Sequence, residues 1–87
     1  IYTSEDAQVC LTQFRPVAFQ AWKSVAEGVR VRFWNAGHLL GSASVEMEVD
    51  GSDGPTRLLF SGDIGPDGKL LQHDPDAPSG VDHVICE

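Results

Sequence analysis

Two stretches of strict alternation constrain this chain more than any other feature. Val29, Val31 and Phe33 fall on one side of a period-two pattern, with Arg30, Arg32 and Trp34 on the other. Ala43, Val45, Met47 and Val49 repeat the pattern against Ser44, Glu46 and Glu48. Successive side chains of a strand point to opposite faces, so each run predicts a strand with one apolar and one polar face. As antiparallel neighbours, the two would set arginine against glutamate across the polar face.

The rest of the chain is read around these strands. Thr3, Ser4, Glu5 and Asp6 form a helix start, with hydroxyl caps followed by acids that suit the positive end of the helix dipole. Ala7, Cys10, Leu11 and Phe14 recur at helical spacing as one apolar stripe. Pro16 ends the pattern, which predicts a helix over about Ser4 to Phe14. Val17 to Trp22 reads as a short extended segment, and Gly28 closes the polar stretch after it. Asp50-Gly51-Ser52-Asp53-Gly54-Pro55 is a turn cluster. A third strand is expected over Thr56 to Phe60, with Leu58-Leu59-Phe60 buried on both sides. The stretch 62–80 holds three Pro and four Gly and predicts a long loop. Val81 to Cys86 reads as a final buried strand.

With 87 residues this is one domain or less, and a core of that size is marginal by itself. The chain opens on Ile1, its one Met is Met47, and it stops directly after an apolar run. The expectation is an internal piece of a longer protein that carries part of a site. Cys10 and Cys86 lack metal-type spacing and read as reduced core residues, which favours a reducing, cytoplasmic compartment. Six Lys+Arg against 13 Asp+Glu give a net charge of -7, which argues against a polyanion-binding surface carried by this chain alone. No apolar run approaches the ~20 residues needed to span a bilayer, so no membrane partner is expected.

Three segments place a ligand-type side chain beside glycine or at a strand end. They are Asn35-Ala36-Gly37-His38-Leu39-Leu40-Gly41-Ser42-Ala43, Phe60-Ser61-Gly62-Asp63-Ile64-Gly65 and Asp82-His83-Val84-Ile85-Cys86-Glu87. Taken singly, a histidine in a hairpin or a Gly-Asp pair after a strand is most often a plain turn. Taken together they point to one site, because strand ends on one edge of an α/β sheet converge on ligands. An imidazole and a carboxylate are ligand types suited to zinc, and a carboxylate can bridge two ions.

In order and spacing, these three segments resemble the β-CASP branch of the metallo-β-lactamase-fold nucleases, and Tyr2-Thr3-Ser4-Glu5-Asp6-Ala7 resembles the helix that precedes the motifs there. The resemblance implies an α/β fold, part of a metallo-β-lactamase αββα sandwich, with one N-terminal helix followed by a mostly antiparallel or mixed sheet. Residues 1–87 would then be a single partial domain. It implies that His38 binds one zinc ion, that Asp63 bridges two, and that Glu87 is the acid that orients a histidine supplied from downstream. His73 and His83 match no motif. The family's His-x-His-x-Asp-His motif is absent, so the resemblance implies a partial ligand set here. It further implies a zinc-dependent nuclease acting on RNA, or on DNA, in the cytoplasm, with the isolated chain inactive. The competing expectations are a metallo-β-lactamase hydrolase of the thioesterase or lactonase type and a non-catalytic scaffold subunit.

Overall fold

The computed structural model describes all 87 residues, Ile1–Glu87. One helix, α1 (Ser4–Leu11), precedes five strands: β1 (Lys23–Ala26), β2 (Val29–Asn35), β3 (Ala43–Val49), β4 (Thr56–Phe60) and β5 (His83–Ile85). The strands form one sheet in the order β1-β2-β3-β4-β5, antiparallel except for the parallel β4–β5 pair. This is the α/β, mixed-sheet fold expected from the sequence.

The alternating runs became β2, one residue longer than the run, and β3, with the expected bounds, and their register sets Arg30 against Glu48 and Arg32 against Glu46. Glu46 is fully buried. It accepts hydrogen bonds from Arg32 and Trp34 of β2 and from Arg57 of β4. Arg32 also lies over the rings of Trp22 and Trp34, at 4.5 and 4.7 Å from their centroids. Burial pushes the Glu46 carboxyl up, but the hydrogen bonds from Arg32, Arg57 and Trp34 outweigh it and hold it below the ordinary carboxylate value. A buried charge is tolerated only when paired this fully. The polar face of the sheet is thus a network that ties three strands. On the other face stand Val31, Phe33, Val45, Met47, Leu58 and Phe60, and of these only Val31 is buried.

Several expectations are corrected. The helix stops at Leu11 rather than Phe14. Its N-terminus falls at the expected start, and there Thr3 and Asp6 form a capping box. At the other end the Thr12 hydroxyl donates to the Val9 carbonyl, and Arg15 donates to the Thr12 and Phe14 carbonyls, which closes the turn before Pro16. None of its residues is buried, so Cys10 is an exposed free thiol rather than a core residue. Cys86 is likewise free and exposed. A strand absent from the sequence reading, β1, pairs with β2. The final strand is shorter than Val81 to Cys86 and is an exposed edge rather than buried, with Val84 57% and Ile85 46% exposed. Leu58, Leu59 and Phe60 are half-buried, not enclosed on both sides.

Candidate functional site

Strand direction decides where the three segments meet. β2 and β4 both run antiparallel to β3, and β5 runs parallel to β4, so β2, β4 and β5 end on the same edge of the sheet. His38 lies just beyond the end of β2, Asp63 just beyond β4 and Glu87 just beyond β5. His38 Nε2 stands 3.9 Å from a carboxylate oxygen of Asp63. Both side chains are open to solvent, 43% and 74% exposed, so the pair is accessible to an incoming group. The Glu87 amide donates to the Ser61 hydroxyl at 3.1 Å, and the Ser61 amide donates to the Ile85 carbonyl at 2.9 Å. That pairing holds the chain at Glu87 against the start of the Asp63 loop.

The His38 connection is built by tertiary contacts that residue types alone do not announce. Ser42 Oγ accepts from the amides of both His38 and Leu39. Asn35 Oδ1 accepts from the Gly37 amide, while Asn35 Nδ2 donates to the carbonyls of His73 and Asp74. Gly37 has φ +65, and a Cβ there would sit 2.8 Å from Pro75. The Gly65 amide donates to the Ala36 carbonyl at 2.8 Å, and any side chain on Gly65 would collide with the Gly37 carbonyl. Gly65 therefore lets the backbones of the two ligand-bearing loops touch, while Gly37 makes room for Pro75.

The long connection 61–82 has no helix or strand, which is unusual for a parallel crossover. It is nevertheless tied down along its second half. Asp76 donates its amide to the Asn35 carbonyl, and its carboxylate accepts from Gln20. Arg57 donates its amide to the Asp82 carboxylate and its guanidinium to the carbonyls of Ser79 and Gly80. Between this connection and the His38 loop lies a cleft of about 660 Å³, bordered by Phe19, Leu39, Leu71, His73 and Asp76. His73 is exposed at its rim, and His83 is exposed in β5, away from the loop pair.

The donor types fit part of a zinc centre: one imidazole nitrogen and one carboxylate. Two ligands are fewer than the three protein ligands of an open zinc site, and no group of three or more His, Cys, Asp or Glu is assembled in this chain. Asn35, Ser42 and Gly65, which shape the site, lie within the motif segments, but nothing in the sequence announced their contacts; Lys69, which donates to the Gly37 and His38 carbonyls, had no signal at all.

No family model matches the chain. It is 35% identical over 88 residues, 99% of its length, to an RNase J-like protein of Methanocaldococcus jannaschii, and 34% identical over 83 residues, 95% of its length, to ribonuclease TTHA0252 of Thermus thermophilus. It is 30% identical over 63 residues to transcription termination factor FttA of M. jannaschii. The chain spans only 20% and 18% of the length of the first two relatives and 10% of the third. No helix is long and apolar enough to cross a membrane.

Proposed function

We propose that this chain, which is similar over nearly its whole length to an RNase J-like protein and to ribonuclease TTHA0252, is a segment of the metallo-β-lactamase domain of a zinc-dependent ribonuclease of the β-CASP branch. The observation that carries the proposal is the 3.9 Å approach of His38 to Asp63 at the sheet edge where three strands end. Sequence likeness alone would leave the two residues anywhere.

In this reading the His38 Nε2 and the Asp63 carboxylate would be among the groups that hold the metal, with Asp63 shared between two ions. A metal ion held by these residues would supply Lewis-acid chemistry, a lowered pKa of bound water and an offset to the negative charge on the phosphoryl oxygens. The exposure of both side chains leaves room for a phosphodiester to approach. Glu87 serves as the acid that orients a histidine from elsewhere in the larger protein. The remaining ligands and a basic groove for RNA lie outside this acidic chain, since a net charge of -7 does not attract a polyanion. Isolated, the chain is therefore inactive. A cytoplasmic setting suits Cys10 and Cys86, which are both free.

The test is RNA cleavage by the larger protein. Asp63→Asn is expected to abolish cleavage while leaving the thermal midpoint close to the parent's, because an amide does not hold two cations as a carboxylate does. Cleavage at the parental rate would remove Asp63 from the site.

A further inference from the structure

We propose that Lys69 is a positioning residue for His38: its ammonium sits on the backbone carbonyls of Gly37 and His38 and sets where the imidazole stands relative to Asp63. The proposal rests on the reading of His38 as a metal ligand.

Lys69 Nζ lies 2.9 Å from the Gly37 carbonyl oxygen and 2.7 Å from that of His38. The left-handed turn at Gly37, φ +65, lets two consecutive carbonyls face one cation. No other hydrogen bond in the chain reaches either oxygen. Lysine carries three donors and no acceptor, so both contacts are charge-assisted, the stronger class of hydrogen bond. On the other side of the same residue the His38 amide is held by Ser42 Oγ at 3.0 Å. The peptide groups before and after the His38 Cα are thus both pinned, which fixes its φ and ψ and hence the direction of its Cβ.

Lys69 belongs to the same connection as Asp63. That segment supplies one proposed ligand itself and grips the backbone of the other, through Lys69 and through the Gly65 amide. Displacing the His38 loop by an ångström would alter the spacing of the pair. Groups that orient a ligand commonly change metal affinity about 10-fold to 100-fold when removed.

The experiment uses the larger metal-loaded protein with cobalt(II) in place of zinc, and reads both affinity and the visible ligand-field spectrum. Lys69→Met is expected to weaken cobalt binding by about 10-fold or more and to change the spectrum. Lys69→Arg, which keeps a cationic donor, is expected to recover most of the affinity and the parental spectrum. A merely structural lysine would lower the thermal midpoint and leave the spectrum of the folded protein alone. Should Lys69→Met not fold, Lys69→Gln takes its place, with an affinity between those of the parent and a His38→Ala control. If His38→Ala loses binding while folded Lys69→Met or Lys69→Gln matches the parent, the positioning role is overturned and the metal reading stands. If His38→Ala itself binds cobalt as the parent does, the metal reading fails, and the positioning role fails with it.

Discussion

Glu46 is the residue on which the sheet depends most. Its carboxylate is fully buried and satisfies Arg32, Arg57 and the Trp34 indole at once. Replacing it with alanine leaves two guanidinium groups facing each other without their counter-ion. Removing one partner of a buried pair costs about 3–5 kcal/mol, a large share of the whole stability of a small domain. Glu46→Ala is therefore expected to shift the denaturant midpoint sharply downward, and an unchanged midpoint would show that the network is incidental. The same residue gives stability a pH dependence. Its folded pKa lies below the ordinary value of 4.5, so the unfolded chain takes up the proton first as pH falls. The Glu46 contribution is complete above that value and is lost as pH drops below it through the folded pKa. Acid titration of the denaturant midpoint should show this loss in the parent and not in Glu46→Gln. The residues of the site were legible in part. His38 and Asp63 stood out because three glycine-flanked or strand-end ligand types recur along one short chain, although each singly reads as a plain turn. Lys69 did not, and Asn35 and Gly65 stood inside the motifs without a role, because each acts on a loop remote in sequence and spacing along the chain carries no information about that contact.

At the scale of elements, alternation decided what could be read. β2 and β3 pair in the middle of the sheet, and their apolar and polar faces meet different surroundings, so selection by burial wrote a period of two into them; β4 beside them shows instead as the apolar run Leu58-Leu59-Phe60. The edge strands carry no such record. Lys23-Ser24-Val25-Ala26 is exposed throughout β1 and held by pairing to β2 alone, with a shift of register between Ser24 and Ala26. β5 does have an apolar run, but the run marks an exposed edge rather than a core. The helical stripe of α1 misled in the same way: periodicity showed a helix and overstated both its length and its burial. Hydrogen exchange follows from this arrangement. Amides of β3, flanked by β2 and β4 and anchored through Glu46, should exchange slowest, and those of α1 and β5 orders of magnitude faster. Equal protection across all five strands would contradict the assignment of β5 as an open edge.

The molecule as a whole is an open slab. Its radius of gyration is 15.6 Å, against about 12 Å for a compact domain of this length. The helix makes no packing contact with any strand, and all pairings between elements are within the sheet. Phe33, Val45, Met47 and Phe60 are left half-exposed on one face. A contiguous apolar face of this kind is expected to bind a hydrophobic dye such as ANS at neutral pH, and absence of binding would mean that the helix folds over the sheet in solution. What the slab does organise is its strand-end edge, where the His38 loop and the Asp63 loop are locked together by backbone contacts. The central claim is that this edge holds metal. Anomalous scattering at the zinc absorption edge, from crystals of the nuclease proposed to carry this segment, tests it most directly. The account predicts a zinc peak about 2 Å from both His38 Nε2 and an oxygen of Asp63. Zinc bound elsewhere in the protein, with His38 and Asp63 both outside coordination distance, would contradict it.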